Sequence, residues 1–177
     1  MSLSEAGRRF LRRRRIVRSF GTVVLVTVVC AWLAQQHFGR VIDDWERFDH
    51  RQFVFAAALD DGSILVRSAD GSTQQIVQLL GIDAPQPTHM PDYLQSRLAG
   101  KTVMLLLDSP QTRDKQRRLL AYVYASDADN LNVDVVHDGQ AYADQRQNCL
   151  FEEEIRIAQS DAKKKRRGLW SNAAKTG

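Results

Sequence analysis

Three consecutive runs of mostly apolar residues in the middle of the chain have the length of β-strands. The breaks between these runs contain Asp-Gly pairs, a strong signal for hairpin turns. Two more strand-like runs and three helical segments follow, giving predicted strands at 52–59, 64–68, 74–80, 101–107 and 119–125 and predicted helices at 91–99, 132–138 and 152–167. Strands first, with helices between and after them, predict an α+β fold: a five-stranded β-barrel with three helices packed on one side.

A different pattern precedes the strands, because residues 19–39 carry no charge and have an apolar centre at 20–34. A span of this length can just cross a bilayer, and the arginines before it favour a cytoplasmic N-terminus. The sequence therefore predicts a single-pass transmembrane anchor, or uncleaved signal, with the following domain on the extracytoplasmic side. A cleaved signal peptide and a secreted domain are the alternative, because a short apolar core also suits a signal peptide.

The remaining boundaries follow from these two patterns. Residues 1–18 form a basic cytoplasmic segment, and residues 40–50 are charged with spaced apolar positions, which predicts a short helical stalk. The folded domain is expected at 51–170, followed by a tail at 171–177.

Charge is distributed unevenly between these parts. The whole chain has a formal net charge of +4, but residues 1–40 carry eight arginines against one glutamate. Residues 41–177 carry 17 basic and 20 acidic side chains, so the predicted domain is slightly acidic. Nucleic-acid binding normally rests on clustered Lys and Arg, so this balance does not favour a nucleic acid as ligand.

Five short motifs occur in order along the domain. They are Asp61-Gly62, the run LLGIDAP at 79–85, Asp114-Lys115 with Arg118, Leu131-Asn132-Val133 leading to Gly139-Gln140-Ala141, and Gly168-Leu169-Trp170. In this order and spacing they resemble the staphylococcal nuclease (thermonuclease-like) domain family over residues 51–170. The resemblance implies a barrel of the OB type and Ca²⁺-dependent cleavage of phosphodiester bonds in DNA or RNA.

The resemblance also implies which positions would carry that chemistry. Two carboxylates would bind Ca²⁺, and Asp83 matches one of them, whereas Ser63 stands in place of the other. Asp61, in the same turn as Ser63, is a candidate metal ligand if the turn is rearranged. Two arginines would stabilise the charge that develops on the phosphate; Arg118 matches one, and Gln78 replaces the other. Gln86 replaces the glutamate that would act as the base, and an amide cannot accept that proton.

These replacements affect metal binding, charge stabilisation and proton transfer at once. The sequence therefore predicts a catalytically inactive, membrane-anchored binding module, with no cofactor and with a protein partner near the membrane. The alternative is a metal-dependent nuclease with a rearranged site, in which Asp61 and Asp83 bind Ca²⁺ and Arg117 and Arg118 hold the phosphate.

Three other features have ordinary structural interpretations. His89 and His137 have no second histidine or cysteine at metal-ligand spacing. The basic run at 163–167 is typical of a helix C-terminus, where cations complement the helix dipole. Asp60 and Asp61 are typical turn residues.

Overall fold

The described part of the computed structural model comprises residues 25–33, 35, 43–85, 89–108, 111–125, 129–146 and 148–171. The chain divides into two compact units, Met1–Asp43 and Asp44–Gly177. In the first unit, residues 25–33 are helical. The predicted membrane span at 19–39 lies mostly outside the described residues, and no described helix is long and apolar enough to cross a membrane.

The second unit is built on a closed barrel, which confirms the predicted five-stranded barrel and its helices. The elements, labelled in chain order, are β1 (Arg51–Ala58), β2 (Ile64–Arg67), β3 (Gln74–Leu79), β4 (Ile82–Asp83), α1 (Met90–Leu98), β5 (Thr102–Leu106), β6 (Leu119–Ala125), α2 (Leu131–His137), β7 (Tyr142–Ala143) and α3 (Glu152–Lys165). The barrel order is β1-β2-β3-β6-β5, and it closes through parallel pairing of β3 with β6. The two-residue strands β4 and β7 pair separately.

Alternate side chains of the strands fill the barrel. Phe53 and Phe55 of β1, Ile64 and Val66 of β2, and Val77 of β3 are buried, while their neighbours on the strands are more exposed. Successive side chains on a strand point to opposite faces, so one face of each strand reaches the core. The glycine of the first Asp-Gly turn, Gly62, has φ +81° and completes the β1–β2 connection.

The segment predicted as a stalk contributes to this core. Residues 44–48 are helical and belong to the second unit. Phe48 is buried, and the buried Asp44 receives hydrogen bonds from Thr112 (2.7 Å) and from Arg113 (2.6 and 2.8 Å). The packed unit therefore begins at Asp44, because the short helix predicted as a stalk places one of its apolar side chains in the core.

One buried amide ties the strands to a helix. Asn132 of α2 is fully buried; its Oδ1 accepts from the backbone N–H of Val123 at 3.0 Å. Its Nδ2 donates to the carbonyls of Leu80 at 2.8 Å and Ala121 at 3.2 Å. This side chain connects the end of β3, the middle of β6 and α2. It thereby fixes the position at which the LLGIDAP run leaves the barrel.

The C-terminal segment docks through backbone contact. Gly139, with φ +72°, lies so close to the chain after α3 that an added Cβ would stand 2.3 Å from the carbonyl oxygen of Arg167. The N–H of Leu169 donates to the carbonyl of Gly139 at 2.8 Å. The short 3₁₀ turn Gly168–Trp170 is thereby attached to the end of α2.

Candidate functional site

A cleft of about 660 Å³ opens where β3 and β6 lie beside the β4–β7 pair. Its lining contains Gln78, Asp83 and Arg118 from the residues that the sequence singled out, but not Asp61 or Ser63. The lining residues are Gln78, Leu80, Ile82, Asp83, Gln111, Asp114, Lys115, Gln116, Arg118, Leu120, Asp144, Arg146 and Asn148. The cleft is thus the candidate functional site.

Arg118 is held by two carboxylates. Its Nη1 donates to Asp61 Oδ2 at 2.5 Å, and its Nε donates to Asp114 Oδ2 at 2.6 Å. The backbone N–H of Arg118 also donates to Asp114, at 2.9 Å. A phosphate ligand would therefore compete with two resident anions for this guanidinium.

Asp61 is bound from its other side by the turn that precedes β2. The fully buried Ser63 donates to Asp61 Oδ1 from its hydroxyl at 2.5 Å and from its backbone N–H at 3.0 Å. Burial raises the pKa of Asp61, but the Ser63 hydrogen bonds and the Arg118 charge outweigh it and hold that pKa below the ordinary value. Asp61 therefore stabilises the turn and the arginine as a carboxylate, and the Ser63 hydroxyl is committed to that bond.

Asp83 faces a different cation. Nη2 of Arg146 lies 3.3 Å from Asp83 Oδ2. The same guanidinium binds Asp144, with Nε at 2.8 Å from Oδ1 and Nη2 at 3.2 Å from Oδ2. The hydrogen bonds to Asp144, followed by the charges of Asp144 and Asp83, raise the pKa of Arg146. One arginine thus bridges two acids at the mouth of the cleft.

Gln78 also lines the cleft. Its Oε1 is buried, and no described group donates a hydrogen bond to it. Gln86, the other glutamine at a position of chemical interest, lies outside the described residues. Arg117 is not among the cleft-lining residues; it has φ +66°, and its carbonyl accepts a hydrogen bond from Arg113 at 3.0 Å.

Neither of the two histidines considered in the sequence, His89 and His137, lines the cleft. His137 is 3.2 Å from Asp138 and 3.7 Å from Asp161, and Nη1 of Arg167 contacts its ring. No cluster of three or more His, Cys, Asp or Glu able to hold a metal ion occurs within the described part of the chain.

The described residues do not fit the Ca²⁺ ion that the resemblance implies. Calcium takes six to eight oxygen ligands, with carboxylates providing much of the affinity. Asp83 is the one carboxylate that matches a metal ligand of the family, and it already forms an ion pair with Arg146. Ser63 offers no charge, and its hydroxyl donates to Asp61.

Arg146 and Asp144 are functional candidates that the sequence interpretation missed. They form an acid-x-base triplet directly after β7, and a triplet of this kind is too common to single out. The pairing of β7 with β4, which carries Asp83, is what brings Asp144 and Arg146 to the site.

Comparison with known proteins covers this same region. A family profile described as staphylococcal nuclease homologue matches residues 76–172, which include every residue that lines the cleft. Proteins named "Uncharacterized endonuclease" from Escherichia coli O157:H7 and from Escherichia coli are each 32% identical over 122 residues, covering 62% of this chain and 76% of theirs. The "Thermonuclease" of Staphylococcus hyicus is 29% identical over 124 residues, covering 63% of this chain and 72% of its own length.

Proposed function

The chain belongs to the staphylococcal nuclease homologue family, and we propose that it uses the nuclease fold as a binding domain without calcium-dependent nuclease activity. The observation that carries this proposal is that the cleft's own ion pairs engage its charged groups. Arg118 is bound by Asp61 and Asp114, and Asp83 is bound by Arg146. Phosphodiester hydrolysis needs positive charge on the phosphate oxygens and a positioned nucleophile.

The amount of transition-state stabilisation lost at the replaced positions supports the same conclusion. Removing a single group that stabilises developing charge commonly costs about 3 to 4 kcal/mol of transition-state stabilisation. Here the positions that match a metal ligand, an arginine and a base carry Ser63, Gln78 and Gln86. These effects are not additive, but they fall on three separate parts of the chemistry.

The composition of the cleft favours a protein partner. Its charged side chains balance, with three cations and three anions: Lys115, Arg118, Arg146, Asp83, Asp114 and Asp144. None of the described lining residues is aromatic, so the stacking that single-stranded nucleic acids use is missing there. Amides beside Leu80, Ile82 and Leu120 suit an uncharged stretch of polypeptide, which offers backbone hydrogen bonds and small apolar groups.

The competing function is a nuclease, which the names of the relatives favour, and the family resemblance implies that it would depend on calcium. Full-length protein incubated with single-stranded DNA in millimolar Ca²⁺ is expected to cause no cleavage that EDTA suppresses. The Staphylococcus hyicus thermonuclease serves as the positive control.

Arg118→Ala separates a real activity from a contaminant in this assay. Cleavage that needs Ca²⁺ and falls at least about tenfold in Arg118→Ala would overturn the binding proposal. Cleavage that is unchanged in the variant would belong to another protein.

We further propose that the N-terminal segment anchors the chain in a membrane, with the barrel on the extracytoplasmic side. Large apolar side chains of the helical residues 25–33 are exposed: Leu25, Val26, Val28, Val29, Trp32 and Leu33. An exposed apolar surface of this kind is favourable in lipid and costly in water. Seven arginines precede it between Arg8 and Arg18.

Alkaline carbonate extraction tests the anchor. The full chain is expected to stay in the membrane pellet, and a variant lacking residues 19–39 is expected in the supernatant. Determining the N-terminal residue of the mature protein separates retention from cleavage. A mature chain beginning after the apolar run would contradict the anchor and support the secreted alternative.

A further inference from the structure

We propose that Arg146 is a built-in cation that takes the place of an exchangeable metal ion, so that the cleft is charge-balanced without metal and becomes a cation site when Arg146 is removed. This inference rests on the proposed metal-free binding function. It starts from the disagreement between the Ca²⁺ ion implied by the family and the side chains present in the cleft.

The first support is the setting of Asp144. Its side chain is only 6% exposed, and Arg146 binds both of its carboxylate oxygens. A carboxylate that is largely removed from water needs a cation or several donors to remain ionised. Asp144 also accepts from the backbone N–H of Arg146 at 3.0 Å, so the chain turns to place its own cation there.

The second support is the geometry that brings Asp83 to the same guanidinium. Asp83 pairs with Tyr142 in the β4–β7 ladder, and the N–H of Asp144 donates to the carbonyl of Gly81 at 2.9 Å. These backbone bonds fix the strand ends that carry the two acids. Arg146 Nη2 contacts both carboxylates, at 3.2 Å from Asp144 and 3.3 Å from Asp83. The two acids are therefore near enough to share one cation.

The third support is the exposure of Arg146 itself. Its side chain is 76% exposed, so it contributes little to the core and can be replaced without leaving a cavity. The exposed contact with Asp83 adds little to stability by itself, because water and salt screen it. Arg146 has a larger effect on a metal ion that competes for the two acids. Its guanidinium occupies the position from which the metal would contact both Asp83 and Asp144.

Terbium binding is the test, since Tb³⁺ prefers the same oxygen ligands as Ca²⁺ and is sensitised by a nearby tyrosine. Tyr142, opposite Asp83 in the ladder, is placed to act as the sensitiser. Full-length protein freed of metal with EDTA is expected to show no saturable Tb³⁺ signal from the cleft. Arg146→Gln is expected to bind Tb³⁺ saturably, at concentrations at least about tenfold below those at which the wild type gives any signal, because a unit positive charge beside the two acids is gone. Millimolar Ca²⁺ should compete with this signal.

Three further variants make the result specific. Arg146→Lys keeps the charge and is expected to behave as the wild type. Lys115→Gln removes a charge from the same cleft without touching the two acids, and it should give no gain. Arg146→Gln combined with Asp83→Asn should lose the gain, and circular dichroism of each variant verifies that it is folded.

The outcomes separate this inference from the proposed function. Folded Arg146→Gln that binds Tb³⁺ no better than Lys115→Gln would overturn the role of Arg146 and leave the metal-free binding domain standing. Saturable Tb³⁺ or Ca²⁺ binding by the wild type, together with Ca²⁺-dependent DNA cleavage, would overturn both.

Discussion

Ser63→Asp is expected to destabilise the barrel by about 3 to 5 kcal/mol near neutral pH, because it places a carboxylate at a buried position beside Asp61. Ser63 is fully buried, and its hydroxyl donates to Asp61. The substitution removes that donor and sets two anions side by side, while Arg118 is already shared between Asp61 and Asp114. Urea unfolding followed by circular dichroism measures the loss.

Ser63→Ala is the matched control. It removes the same hydroxyl without adding charge, so it is expected to cost about 1 to 3 kcal/mol, the value of a hydrogen bond to a charged group. The difference between the two variants measures the cost of the added charge, from its burial and from its repulsion by Asp61.

The pH dependence of the Ser63→Asp penalty has a definite sign. Burial and the neighbouring anion raise the pKa of the introduced carboxyl in the folded state above its unfolded value. The penalty is therefore largest at neutral pH and shrinks as the pH falls towards about 4, where the group takes up a proton on folding. Equal stability of Ser63→Asp and Ser63→Ala at neutral pH would show that the site tolerates the charge.

Ser63→Asp also bears on calcium binding by the cleft. Restoring the carboxylate alone is not expected to restore calcium binding, since Arg146 still stands against Asp83. Calcium is expected to raise the stability of variants that carry Arg146→Gln, whether or not they also carry Ser63→Asp.

Asn132→Ala is expected to lower the free energy of unfolding by about 3 kcal/mol. The amide is fully buried and makes hydrogen bonds to Val123, Leu80 and Ala121. Truncation leaves the N–H of Val123 without this acceptor and removes a donor from two carbonyls, and buried unpaired groups are more destabilising than exposed ones. Thermal and urea unfolding both report the change.

Asn130→Ala provides the comparison for Asn132→Ala. Asn130 caps α2, and its side chain accepts from the backbone N–H of Asn132 at 3.1 Å. Loss of such a cap costs about 1 kcal/mol. Equal effects of the two substitutions would mean that the buried bridge contributes no more than an ordinary helix cap.

Much of the barrel could be predicted because its strands are apolar runs separated by turn residues. The predicted runs at 64–68 and 119–125 correspond to β2 (Ile64–Arg67) and β6 (Leu119–Ala125). The strands β4 and β7 escaped prediction because two residues cannot display a period. The packing of residues 44–48 also escaped, since an amphipathic spacing gives a helix but not the surface that it covers.

The candidate site was predictable only in part, for a related reason. Aligned motifs identify positions such as Asp83 and Arg118, but they do not show which distant side chains pair with them. Asp61 lies 57 positions before Arg118, and Arg146 lies 63 positions after Asp83. The chemistry of the cleft depends on those long-range pairs, which exist only after the barrel has closed.

The backbone contact between Gly139 and the chain after α3 has a consequence for synthesis of the protein. The hydrogen bond from Leu169 to Gly139 joins segments 30 residues apart, and α3 lies between them. A nascent chain that has not yet exposed Leu169 can form the barrel strands but cannot attach this end of α2. This docking therefore waits until Leu169 has left the ribosome, and a chain stalled before Leu169 should be cut by protease between α2 and α3 while its barrel is spared.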